Sequence, residues 1–391
     1  MNNKPVFDYP LFAMGFRPFF ALAGLSALAF IALWNSLGNG AWHIEPYFPA
    51  NYWHAHEMLL GYATAVIAGF LLTAVKNWTG VQPVNQDQCA SLALLWLYGR
   101  VMPFYAGLLP DVLIAAADFA FLPLLAYFVS RPILKTGQFK QLVFIALLLA
   151  MAVGNGLIHA QILGVSAVGA ALGLNLSLTV IVMMIVVIAG RVFPFFTERG
   201  LSGVMCMRSP LLDGAAIASS LAALLLMMFE LSGVALALAA AAALALNLLR
   251  VAGWFDRRVL YVPLLWVLYV GYGWLIVGFG LLALAAFSWV SPVLALHAFT
   301  VGGIGVISLG MMARVALGHT GRALKLSNGM ALAFLLINLA AVCRVVFPAL
   351  LPAWYGGFVL VSSYCWLAAF ALFIFYYLPI LTAPRVDGQA G

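Results

Sequence analysis

Charge is what this sequence lacks most. Only 7% of its 391 residues are Asp, Glu, Lys or Arg, against about 25% in an ordinary soluble domain. With 66% hydrophobic residues and a mean hydropathy of +1.10, the deficit excludes a water-soluble globule and points to an integral membrane protein. Cysteine is scarce too. Cys89, Cys206, Cys343 and Cys365 show no CxxC or CxxCH spacing, which excludes a disulfide framework, a thiolate zinc site and covalently attached haem. There is no P-loop, HExxH or GxSxG arrangement, so ATP-driven transport and serine hydrolysis have no support. The formal charge of +7 is scattered over loops and helix ends with no basic stripe, so nucleic acid is not a partner. No short apolar core followed by a small-residue cleavage site marks the start, so no cleavable signal is expected.

What the chain does have is a succession of apolar runs of about twenty residues, the length that crosses a bilayer core of about 30 Å. Backbone groups in lipid must be satisfied within the segment or in a closed barrel. The runs Phe144–Ile158 and Val234–Leu249 do not alternate apolar and polar residues as barrel strands would. The expected fold is therefore all-α: a single polytopic membrane domain over residues 1–391. Twelve transmembrane helices are expected near 18–37, 54–75, 89–109, 111–130, 141–159, 165–190, 211–231, 234–251, 261–283, 291–313, 329–350 and 354–379.

Lys and Arg are retained on the cytoplasmic side. The even-numbered loops carry Lys76; Arg131, Lys135 and Lys140; Arg199 and Arg208; Arg257 and Arg258; and Arg322 and Lys325, while the odd-numbered loops carry none. Both termini are thus expected in the cytoplasm. In that frame His54, His56, His159 and His297, with His43 in the first loop, share the periplasmic side, and His319 stands alone on the cytoplasmic one. Glu57 and Asp118 fall in the periplasmic halves of their helices.

An ionisable side chain inside a spanning helix costs about 2.5–3.5 kcal/mol on insertion scales and marks a functional candidate. Imidazole is a common ligand of haem iron and copper, so His54, His56 and His297 are candidate ligands, with His159 and His319 as further metal candidates. Residues two apart on a helix point about 200° apart, so if both are helical His54 and His56 cannot grip one ion from one face: either His54 lies in the non-helical entry, or the two serve different centres, or one ligates while the other hydrogen-bonds a propionate or a carboxylate. Glu57 and Asp118 are candidate proton carriers. Arg100 and Arg344 lie within spans and are expected to pair with an internal acid or to hold haem propionates, whereas Arg191 and Arg314 are expected to snorkel to the interface. All four open an Arg-Val pair, an echo too short to establish a repeat.

Four phrases run along the chain: MGFRPFF (Met14–Phe20), WHAHEMLLGYATAVIAGFLLTAV (Trp53–Val75) followed by NWTG (Asn77–Gly80), GRVFPFFTERG (Gly190–Gly200) and LALHAFTVGGIGVISLGMMARVALGHTGR (Leu294–Arg322). In these the sequence resembles the NnrS family, haem- and copper-containing membrane proteins of the nitric oxide response. Lys76 stands where the family pattern has proline, which alters a helix exit and leaves the histidines untouched. The resemblance implies haem b, copper, nitric oxide as the small-molecule ligand, an electron donor that the sequence does not identify, and relief of nitrosative stress. The alternative is a secondary transporter of a metal, haem or a small metabolite, since twelve helices with intramembrane ionisable groups are also a carrier's layout.

Overall fold

The computed structural model describes residues 6–38 and 47–389; His43 lies outside them. Among the described residues the chain is helical throughout, with no strand. The principal helices are α1 Phe16–Gly38, α2 Ala50–Thr79, α3 Gln86–Val101, α4 Asp111–Lys135, α5 Phe139–Ile162, α6 Ala170–Gly200, α7 Pro210–Met228, α8 Val234–Trp254, α9 Pro263–Ala285, α10 Pro292–His319, α11 Asn328–Leu350 and α12 Pro352–Thr382. Eleven of them are long and apolar enough to cross a membrane.

The exception is α3, expected to span 89–109. Its 16 α-helical residues rise about 24 Å, by themselves short of a bilayer core, and the four residues of 3-10 helix after them add about 8 Å. A capping box of Asn85 and Gln88 starts it, satisfying two terminal N–H groups reciprocally. Pro103 lies in the 3-10 turn Met102–Tyr105 that follows, and a residue without an N–H cannot continue the α ladder.

The chain forms two compact units. The first comprises residues up to 180 with 315–324 and from 373 onward; the second comprises 181–314 and 325–372. In the first, α1 packs on α2, α2 on α4, α4 on both α3 and α5. In the second, α7 packs on α8, α8 on α9, and α9 on α10. The α7–α9 stack is tied by a buried polar network. Arg250 donates to Asp213 (2.5 Å), to the Val186 carbonyl (2.9 Å) and to the Tyr272 hydroxyl (3.0 Å). Tyr272 donates to Asn247 (2.5 Å), which donates to Ser220 (2.9 Å).

Three helices contain a π segment, with its i→i+5 winding: Glu57–Ala63 in α2, Ala298–Gly305 in α10 and Val342–Val346 in α11. Such segments are rare and gather at functional sites. In α2 the Thr64 hydroxyl donates to the Leu59 carbonyl at 3.0 Å, taking up an acceptor in the widened turn.

These segments expose a repeat. His56, Gly61 and Gly69 of α2 recur at identical spacing as His297, Gly302 and Gly310 of α10, and each π segment opens directly after its histidine. A Cβ on Gly69 would meet the Phe20 ring and one on Gly310 the Val267 side chain; both partners stand fifth in helices of 23 residues, α1 and α9. Arg100-Val101 and Arg344-Val345 are followed by Leu108-Leu109-Pro110, which leads into α4, and by Leu350-Leu351-Pro352, whose proline opens α12. The quartets α1–α4 and α9–α12 thus share one plan.

Candidate functional site

α2, α3, α4 and α5 of the first unit converge on a buried cluster of charged and polar side chains. α2 supplies His56 and Glu57 at the start of its π segment. α3 supplies Arg100, α4 supplies Asp118, and α5 supplies Asn155 and His159 one turn apart. Tyr47 reaches in from the segment before α2. Each of these seven residues is 6% exposed or less.

Asp118 is the hub. One carboxylate oxygen, Oδ1, takes Arg100 Nη2. The other, Oδ2, stands 3.0 Å from His56 Nε2 and 2.9 Å from His159 Nε2, and accepts from Asn155 Nδ2 at 3.1 Å. Glu57 closes the far side, with Oε1 3.1 Å from His56 Nδ1 and Oε2 3.4 Å from Arg100 Nη1. The Tyr47 hydroxyl meets His159 Nδ1 at 2.9 Å. Burial, reinforced by the Asp111 carboxylate, pushes the Tyr47 hydroxyl up from its ordinary value, so it keeps its proton as His159's partner. The Phe48 ring stacks on His56 at 4.3 Å.

Glycine makes the approach possible. A Cβ on Gly99 would stand 2.8 Å from Asp118 Oδ1, and one on Gly61 would stand 3.0 Å from Glu57 Oε2 and 3.1 Å from Arg100 Nη1. Larger residues there would drive α3 from α4, or the ion pair from α2.

Two features show what the cluster can hold. Two carboxylates face one guanidinium, so the group lacks one positive charge when its imidazoles are neutral, and burying such an imbalance is costly. His56 faces oxygens on both edges: Glu57 at Nδ1, and Asp118 with Asn155 Oδ1 (3.1 Å) at Nε2. A neutral imidazole has one N–H, so a ring that donates to Glu57 aims its Nε2 lone pair at oxygen unless a cation intervenes. His56, Asp118 and His159 each offer a ligand atom within 4.8 Å of the others. Two ligands each about 2.1 Å from an ion stand about 3.0–3.4 Å apart in tetrahedral or octahedral geometry, close to the separations found between the carboxylate and the two imidazoles. The donor set therefore fits a small divalent ion, copper included. A haem does not fit here: the Phe48 ring covers His56, and Asn155 and Asp118 crowd its Nε2.

Of the residues singled out in the sequence, His56, Glu57, Arg100, Asp118 and His159 meet in this cluster. Arg100 pairs with internal acids. His54 is helical like His56 and points elsewhere, its ring stacked on Trp34 at 4.5 Å. His319 packs its ring on Phe16, 5.8 Å between centroids. His297 belongs to the second unit, where its Nδ1 lies 2.8 Å from the Val293 carbonyl one turn back. Donation there leaves Nε2 as the base. Arg344, also in the second unit, donates to the Tyr355 hydroxyl at 3.0 Å and lies over its ring. Arg314, expected to snorkel, is instead buried, its guanidinium 4.0 Å from the Phe196 ring centroid, where the π face offsets lost hydration. Two cluster members escaped the sequence reading: Asn155, a polar residue four before His159 on one helix face, and Tyr47.

The family model described as NnrS protein matches residues 10–385, nearly the whole chain. The chain belongs to the NnrS family. No curated protein matches it. The NnrS assignment and the long apolar helices agree on a multi-pass membrane protein.

Proposed function

We propose that this NnrS protein holds a copper ion at His56, Asp118 and His159, carries haem b with His297 as iron ligand, and binds or removes nitric oxide. The observation that carries the reading is the convergence of two imidazole nitrogens and a carboxylate oxygen within 4.8 Å, fully buried in a protein of a family tied to the nitric oxide response. The partition of charged loops supports an inner-membrane placement with both termini cytoplasmic and the cluster in the periplasmic half. Nitric oxide is small, neutral and lipid-soluble, so it reaches a site among helices without a polar channel.

When bound, iron and copper supply the open coordination position that takes the gas and a route for electrons. The chain's own groups do the rest. Arg100 offsets the carboxylates, keeping Asp118 anionic as a ligand and leaving Glu57 beside His56. Asn155 steadies the Asp118 oxygen that faces both rings. Tyr47 accepts from His159 Nδ1–H and so holds the tautomer that frees Nε2. If the gas is reduced, Glu57 carries the protons. Arg344, on its π segment in the second unit, is the cation for the haem propionates.

Elemental analysis and optical spectra of the purified protein test this. About one copper per chain is expected, lost in His56→Ala and His159→Ala, with a haem spectrum that shifts on adding nitric oxide and disappears in His297→Ala. Copper content indifferent to both cluster histidines overturns the metal assignment. A colourless protein that takes up no added haem turns the reading to transport.

A further inference from the structure

Two phrases prominent in the sequence take no part in the cluster: MGFRPFF and the LGHTGR that ends α10 (Leu317–Arg322). The first unit brings them together. The Phe16 and His319 rings pack, as described, and beside them Arg17 is wholly buried. Its Nη1 donates to the carbonyls of Leu381 (3.0 Å) and Ala383 (2.7 Å) at the end of α12. Beyond α12 the chain folds back over the turn after α10. The Val386 amide donates to the Thr320 carbonyl at 3.2 Å, and Arg385 donates to the His319 carbonyl at 3.1 Å. Asp387 pairs with Arg385 at 2.5 Å and lies against Gly321, whose φ of +73° and lack of Cβ make room for the carboxylate.

The charge of this corner is one-sided. Arg322 and Arg385 are the charges that bear on Arg17, and Arg385 and Lys76 those that bear on His319. Among the described residues the carboxylate at this corner is Asp387, and Arg385 already engages it through two nitrogens and holds it down to about 2. Arg322 carries a buried Nη1 without an acceptor among the described residues. A surplus of positive charge around a buried guanidinium is costly unless an anion answers it, and a tetrahedral oxyanion matches the guanidinium fork.

We propose that the turn Thr320–Arg322, with Arg17, Lys76 and the returning chain at Arg385, is a phosphate-binding site. Arg322 is its principal donor, Lys76 adds charge, and Arg17 and Arg385 shape the floor through the backbone carbonyls they hold. The phosphate comes from a phospholipid headgroup at the membrane face or from a phosphorylated solute. The site is independent of the metal cluster and does not rest on the nitric oxide reading.

The test uses the full chain, delipidated in detergent. Native mass spectrometry counts bound phosphatidylglycerol and phosphatidylcholine, and thermal unfolding is followed with each lipid and with inorganic phosphate. Arg322→Gln is the variant of choice, because the unpartnered Nη1 makes its loss harmless to the fold; Lys76→Gln is the second. Retention of phosphatidylglycerol over phosphatidylcholine, weakened about tenfold in Arg322→Gln for a lost charge-assisted hydrogen bond, supports a headgroup site. Equal stabilisation by inorganic phosphate, abolished in the same variant, supports a solute site. No preference for the anionic lipid and no shift with phosphate, or binding unchanged in both variants, overturns the proposal.

Discussion

Replacing Asp118 by Asn keeps the side chain's shape and removes the charge that faces Arg100, Asn155 and two imidazoles. Arg100 is then left with Glu57 alone, 3.4 Å away, and the two imidazoles lose their common anionic neighbour. Breaking a buried ion pair from one side costs about 3–5 kcal/mol; with Glu57 still present the loss should sit near the lower end, about 3 kcal/mol. That is a large share of a stability of about 5–15 kcal/mol. Arg100→Gln should cost a similar amount, since it leaves two carboxylates facing each other across His56. The two changes remove the same interaction, so the double variant should be more stable than the sum of the single losses by about 2 kcal/mol, within the range for directly coupled neighbours. Equilibrium unfolding in mixed micelles of increasing sodium dodecyl sulfate, run on all four proteins, measures that coupling. Losses that add to within about 0.5 kcal/mol, as for independent sites, would refute the view that Asp118 and Arg100 form one charged unit.

Tyr47→Phe removes the hydroxyl that meets His159 Nδ1; copper affinity should fall about 10–100-fold, the usual effect of losing a ligand's supporting hydrogen bond, with little change in unfolding, as competition against a copper-binding dye would report. Gly99→Ala places a methyl 2.8 Å from Asp118 Oδ1; it should both destabilise the chain and lower copper content, while Gly214→Ala, which meets nothing within 4 Å, serves as the control. Arg344→Gln should leave copper unchanged and weaken haem retention, read from the ratio of haem absorbance to protein during dialysis. His54→Ala should leave copper content intact, since its ring stacks on Trp34 outside the cluster.

The helices were legible because spanning a bilayer leaves little choice: a run of about twenty apolar residues must wind. The α-helix that ended earlier than expected was α3, where hydropathy continues past Pro103 although the α ladder cannot. The cluster's charged and imidazole members stood out because lipid makes each expensive, so Glu57, Arg100 and Asp118 were conspicuous in their spans. Their meeting was not legible. It depends on α2 to α5 being neighbours and on two glycines letting them close, and neither is written in any single helix. Asn155 and Tyr47 escaped because a neutral side chain carries no such warning. The repeat escaped because its identities are few and become visible only when the two π segments line up behind His56 and His297.

A π turn is in effect one residue too many for an α-helix. Deleting a single residue between Met58 and Ala63 would let α2 wind regularly with its two ends unturned, because five π residues take the place of about four α residues. His56 would keep its face, and the change would fall on the turn itself, where Gly61 lies against Glu57 and Arg100. The charged pair beside His56 thus depends on a surplus peptide unit. The matching surplus behind His297 suits an ancestor that acquired it before its gene doubled.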